Sequence, residues 1–222
     1  MVFMRSAMVS PAPHPSWRPK CLVALRKDLS RHGVVNSSAG QWMLSTCNSV
    51  HYLDQNLARG LSSLMSGGRV IELGAGCGCY TGALLDQGMV RSVLAYDGGP
   101  NIGELTDNLV RTADLTSDLS SLIGPHEWTL CLEVGEHIPK AYEDTLFANI
   151  VAGNPQGIVL SWAVLGQRGT GHVNCKSNED VILNMERLGF RHQADRSREL
   201  RAVSHLPWFK KTLMVFTRSA GV

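Results

Sequence analysis

The stretch Arg69-Val70-Ile71-Glu72-Leu73-Gly74-Ala75-Gly76-Cys77-Gly78 limits what this chain can fold into more than any other. Val70, Ile71 and Leu73 form the short apolar run of a strand covered on both faces, and three glycines at alternate positions follow at once. Such a segment reads as a buried strand running into a tight turn. Its backbone N–H groups stay open to a ligand because glycine has no side chain to cover them. Glu72 is expected at the carboxyl end of that strand, where open α/β sheets bind their ligands.

Two cofactor classes compete for such a turn. A dinucleotide fingerprint, GxGxxG, needs glycine at position 79, and the chain has Cys79 there. The form present, ExGxGxG, resembles the first motif of the class I S-adenosylmethionine-dependent methyltransferases. In that family the acidic residue meets the methionyl end of the cofactor and the glycines admit its nucleoside. A tight turn with no cofactor is the plainer alternative.

The 222 residues, 44% of them hydrophobic, suit one medium domain with a full core and short additions. A formal charge of +2 is too small to suggest a nucleic-acid partner, and Lys210-Lys211 is the one adjacent lysine pair. No apolar run approaches the ~20 residues that span a bilayer, so no membrane partner is expected. Cys21, Cys47, Cys77, Cys79, Cys131 and Cys175 include no CxxC pair and no accompanying histidines at metal-ligand spacing. They read as reduced thiols of a cytoplasmic protein, with no metal site, and Cys77 and Cys79 as small residues filling a crowded loop.

Residues 1–20, with Pro11, Pro13, Pro15 and Pro19, read as a flexible tail. Its basic, acid-poor composition also suits an organellar transit peptide, although no Arg-rich amphipathic helix is evident. Residues 21–66 read as an N-terminal helical region. Between Gln41 and Met65 the positions Trp42, Met43, Leu44, Val50, Leu53, Leu57, Leu61 and Leu64 recur at three- and four-residue steps, as in one or two amphipathic helices. Residues 67–222 form the expected catalytic domain.

Beyond the glycines, Tyr80 to Gln87 reads as a helix and Ser92 to Asp97 as a second strand ending in an acid. Asp97 lies about 20 residues past the glycines, the separation at which a carboxylate meets an adenosyl ribose. Asn101 to Asn108 reads as a helix, and Val110 to Ala113 as a third strand delivering Asp114-Leu115. Asp114 could equally cap a helix beginning near Thr116. Trp128 to Glu133 is the fourth strand, followed by Val134-Gly135-Glu136-His137-Ile138-Pro139. This run resembles the fourth motif of the same family, commonly closing in EHIP. No (N/D)PP(Y/F/W) run stands here, which sets the chain apart from enzymes that methylate exocyclic amines of bases.

Gly157 to Trp162 reads as the fifth strand, followed by a glycine-rich loop with Gly171-His172-Val173-Asn174 and a helix ending at Gly189. Phe190 to Gln193 and Thr212 to Thr217 read as the last two strands. The excursion Asp195 to Lys211 is the expected place for substrate-facing variation.

The resemblance, from about Gly68 to Arg218, implies an α/β fold: a seven-stranded, mostly parallel Rossmann-like methyltransferase sandwich with an N-terminal helical lid. It implies S-adenosyl-L-methionine as cofactor. Glu72, Gly74, Gly76 and Gly78 would hold its methionyl and ribose parts, Asp97 the ribose, Asp114 and Leu115 the adenine, and Glu133 the methionyl end. His137 would stand near the transferred methyl and His172 would face the acceptor. Alternatively, His137 packs against the sheet end, and His172 and Asn174 cap the following helix. The acceptor is expected to be a small molecule offering oxygen, nitrogen or sulfur. A catalytically silent cofactor-binding protein and an NAD-dependent oxidoreductase are the other classes weighed.

Overall fold

The structure, a computed structural model, describes residues 35–36, 41–43 and 52–219. Strand β1 (Val35–Asn36) pairs antiparallel with β2 (Trp42–Met43). Helix α1 (Gln55–Leu64) begins behind Asp54, whose carboxylate accepts from the N–H groups of Asn56 and Leu57. Then come β3 (Arg69–Leu73), α2 (Cys79–Gln87), β4 (Ser92–Asp97), α3 (Ile102–Leu105), β5 (Val110–Thr112) and β6 (Trp128–Leu132). The chain continues as α4 (Glu143–Val151), β7 (Gly157–Ser161), α5 (Asn178–Arg187), β8 (Phe190–His192), α6 (Ala194–Val203), α7 (Phe209–Thr212) and β9 (Met214–Arg218).

Strands β3 to β9 form one seven-stranded sheet in the order β5-β4-β3-β6-β7-β9-β8. The pairings among β5, β4, β3, β6 and β7 are parallel, and β9 runs antiparallel between β7 and β8. The strand order reverses beside β3, so a crevice opens at the carboxyl ends of β3, β4 and β6, the position at which such sheets take ligands.

Successive strand residues feed opposite layers, as a period of two requires. Val70, Leu130, Val159 and Val215 pack with Leu57 and Leu61 of α1, Leu84 of α2 and Leu200 of α6. Ile71, Cys131, Leu160 and Phe216 pack on the other face with Leu146 and Ile150 of α4 and Val181 and Met185 of α5. This is the expected sandwich, with strands within two residues of their expected bounds.

Three expectations about elements fail. Between Gln41 and Met65, helix begins only at Gln55, Trp42–Met43 is strand, and residues 44–51 lie outside the described part. The helix expected over Asn101–Asn108 is a single turn. Thr106 Oγ1 bonds back to Ile102 O at 2.7 Å, and Asp107 and Asn108 then turn left-handed at φ 52° and 61°. The stretch Asp195–Lys211 is no open excursion: α6 and α7 fill it and bury Leu200 and Phe209 in the α1 layer.

Candidate functional site

Gly74, Gly76 and Gly78 adopt φ of 74°, 53° and 70°, so the turn after β3 is left-handed at each alternate residue. Gly74 is also hemmed in: a Cβ there would stand 2.2 Å from Val134 Cγ2, which belongs to the turn after β6. The glycine loop and the Glu133–His137 segment are therefore in direct contact. Helix α2 starts at Cys79, where a dinucleotide fingerprint would place its last glycine.

Asp97 closes the far side of the loop. Its Oδ2 accepts from Gly76 N and its Oδ1 from Gly99 N, both at 2.8 Å. Each carboxylate oxygen has a second lone pair, so the group can hold the turn and still accept from a ligand hydroxyl. Glu72 is buried and accepts from Thr81 Oγ1. Burial pushes its carboxyl up to about 7, opposed by the Thr81 hydroxyl and helped by the negative charge of Asp97. Cys77 and Cys79 correct the reduced-thiol expectation: both are disulfide-bonded, while Cys131 and Cys175 are free.

Asp114 follows β5, whose end is tied to that of β4 by Ala113 N donating to Asp97 O at 2.8 Å. Its Oδ1 accepts from Thr116 N and Thr116 Oγ1, closing a turn that no helix follows. The side chain of Leu115 is buried in the core, so at the crevice that residue has only its backbone to offer.

The other wall is built by the segment after β6 and the loop after β7. Glu133 is left-handed at φ 53°, a conformation uncommon for a long side chain and held here because its N–H donates to Ser161 O and Ser161 Oγ. Its carboxylate accepts from Gln167 Nε2 at 2.8 Å and Thr212 Oγ1 at 3.1 Å. Gly135–His137 then form a 3-10 turn. A Cβ on Gly135 would lie 2.3 Å from the Trp162 ring, so the turn is pressed against the sheet.

The loop carrying His172 is fastened to that turn. Val173 N and Asn174 N both donate to Glu136 O, and His137 Nδ1 lies 3.2 Å from Gly171 O. The rings of His137 and His172 meet edge to face with centroids 5.0 Å apart. The helix-cap alternative for His172 and Asn174 fails. Ser177 caps α5, while Asn174 donates to Glu143 Oε2 and its carbonyl accepts from Trp162 Nε1. His172 instead has Nδ1 3.1 Å from Gln167 O.

Residues given no role in the sequence reading also stand here: Thr81 on Glu72, Gln167 and Thr212 on Glu133, and Glu136. The Glu136 side chain is fully buried, and burial, with the nearby charge of Glu133, raises its carboxyl well above the usual range. The adjacency Glu136-His137 was the available signal for it. Gln167 and Thr212 had none, since only the fold brings them to Glu133.

No family model and no curated protein matches the chain. Solved structures do. The magnesium protoporphyrin IX methyltransferase of Synechocystis PCC 6803, solved with bound SAH, is 15% identical with a TM-score of 0.54, over 74% of this chain and 83% of that one. A TehB-like SAM-dependent methyltransferase from Corynebacterium glutamicum ATCC 13032 is 18% identical with a TM-score of 0.54, over 78% and 90%. The methyltransferase domain of bacterial CtHen1-C is 16% identical with a TM-score of 0.54, over 75% and 100%. This chain therefore has the class I methyltransferase fold.

Proposed function

Starting from that fold, we propose that this protein is an S-adenosyl-L-methionine-dependent methyltransferase acting on a small molecule. The observation that carries the reading is the left-handed glycine turn pinned by Asp97 through Gly76 N, directly opposite the Glu133–His137 turn. In this reading Gly74, Gly76 and Gly78 admit the nucleoside, and Asp97 accepts from the ribose hydroxyls. Asp114 and the Leu115 backbone meet the adenine. Glu72 and Glu133 face the methionyl end, whose ammonium favours the ionised form of the Glu72 carboxylate.

The reaction is an in-line displacement. A lone pair of the acceptor forms the bond to the methyl carbon, the carbon–sulfur pair returns to sulfur, and the proton displaced from the acceptor leaves to water. A cationic sulfonium becomes a neutral thioether, so a partly dehydrated site favours the step. Holding the two reactants at attack distance supplies most of the acceleration. His137 and His172, at the end of the crevice where the acceptor enters, position it.

Two observations support a small acceptor and a cover over the site. Residues 52–222 hold 15 of the 21 Lys/Arg and 18 of the 19 Asp/Glu, a net charge of −3 that disfavours a polyanionic substrate on this body. Gln41 reaches the crevice, since a Cβ on Gly98 would lie 3.0 Å from its Cγ. Gln41 thus lies over the carboxyl end of β4, as part of a lid would. The test is calorimetric titration of the full chain with S-adenosylhomocysteine, followed by transfer of a labelled methyl group to a metabolite pool. Absence of binding removes the proposal. Binding without transfer to any acceptor leaves a silent cofactor-binding protein.

A further inference from the structure

Glu136 is a buried acid to which the methyl-transfer reading gives no role. Its side chain is fully inaccessible, and neither carboxylate oxygen has a hydrogen-bond partner among the described residues. Such a group is stable only if a proton or a cation neutralises it. Two imidazoles stand beside it. One ligand atom each from Glu136, His137 and His172 can be chosen so that all lie within 4.8 Å of one another. Donors around a single ion at bonds of ~2.1 Å are roughly 3–4 Å apart, so modest side-chain rotation closes the set.

The imidazoles are also oriented as ligands are. Nδ1 of His137 faces Gly171 O at 3.2 Å and Nδ1 of His172 faces Gln167 O at 3.1 Å. A carbonyl can only accept, so Nδ1 is the donor in each contact and Nε2 is the nitrogen left to face an ion, the outer-shell pattern that fixes metal-binding histidines. The hydrogen bonds from Val173 N and Asn174 N to Glu136 O hold the two segments in register before any ion arrives. Gly169 lets the His172 ring pack against the loop, for a Cβ there would lie 2.0 Å from its Nε2.

We propose that Glu136, His137 and His172 form a site for one divalent first-row transition-metal ion, contrary to the sequence expectation of no metal. Two imidazoles and one carboxylate leave coordination positions open for water or a substrate oxygen. The ion's role rests on the methyltransferase reading: it takes the oxygen of a hydroxylated acceptor and lowers the pKa of that hydroxyl. The hydroxyl proton leaves to water, the oxygen lone pair forms the new bond to the methyl carbon, and the carbon–sulfur pair returns to sulfur. No oxidation state changes.

The test uses the full chain, stripped with EDTA and titrated with Co²⁺, whose visible bands report an N/O ligand set. One ion per chain is expected. Glu136→Gln, His137→Ala and His172→Ala should each weaken uptake by about 10²-fold or more, while His205→Ala, at an exposed site beside Asn56, leaves it unchanged. Absence of uptake, or uptake that survives all three variants, overturns the proposal. Should a histidine variant fail to fold, the near-isosteric Glu136→Gln decides. Titration of the same samples with S-adenosylhomocysteine separates the two readings. Cobalt uptake without nucleoside binding would remove the methyltransferase reading and leave the metal site, and the reverse would remove the metal site alone.

Discussion

Asp97 holds two backbone N–H groups of the glycine turn, and in the proposed reading its remaining lone pairs take the ribose. Asp97→Ala should weaken S-adenosylhomocysteine binding by about 10- to 100-fold, corresponding to roughly 1.5–3 kcal/mol for charge-assisted hydrogen bonds. Calorimetry on the folded variant checks this. Glu72 makes an opposite demand. Its folded pKa of about 7 stands above its ordinary 4.5, so the folded state binds the proton more tightly than the unfolded chain. Its contribution is then fully present at low pH and is lost as pH rises through about 7, by up to roughly 3 kcal/mol. Glu72→Gln should accordingly gain in Tm relative to the parent at pH 8 and show little gain at pH 5, read by thermal melts at both values. For His172, replacement by alanine should lower turnover by about 10²-fold with cofactor affinity within about twofold, if it faces the acceptor as proposed. A loss tracking Tm alone would instead mark the loop as structural.

At the scale of elements, the site depends on contacts between segments distant in sequence. Gly74 illustrates this. Gly74→Ala places a Cβ against Val134 in a left-handed conformation, adding about 1–3 kcal/mol of backbone strain before the collision is counted. A lowered Tm together with loss of nucleoside binding is the expected outcome. Asp54 performs a similar office for the α1 layer: one oxygen caps α1 and the other accepts from Ser204 Oγ, His205 N and Leu206 N. Burial pushes its carboxyl up, but these hydrogen bonds outweigh burial and hold it below its ordinary value. Its stabilisation is thus present above pH 4 and lost on acidification. Asp54→Ala should cost about 2–4 kcal/mol, measured by urea unfolding. The seven strands of the main sheet were legible in the sequence because an apolar run bounded by glycine, acid or proline leaves little choice, whereas Trp42–Met43 reads as helix. The short α3 was not, because a threonine hydroxyl competing for a backbone carbonyl has no periodic signature.

For the whole molecule, the N-terminal part divides in two. Helix α1 is core, with Leu57, Leu61 and the C-cap Met65 fully buried, so removal of residues 1–66 should abolish folding and not merely open the site. Removal of residues 1–51 spares that layer and takes away Gln41 over Gly98. That shortened chain should stay folded and bind S-adenosylhomocysteine about tenfold more weakly, ~1.4 kcal/mol, as judged by melting and calorimetry. The glycine spacing, the acid ending the second strand and the order of apolar runs determined the doubly wound sheet and the glycine turn pinned by Asp97, because both are local patterns of backbone freedom and burial. Only the tertiary structure decided how the loop after β7 is used. It is Glu136 O, accepting from Val173 N and Asn174 N, that brings His172 beside His137 and Glu136. Gln167 and Thr212 reach Glu133 in the same way. Long-range hydrogen bonds of this kind depend on where folded segments meet, and linear spacing carries no trace of them.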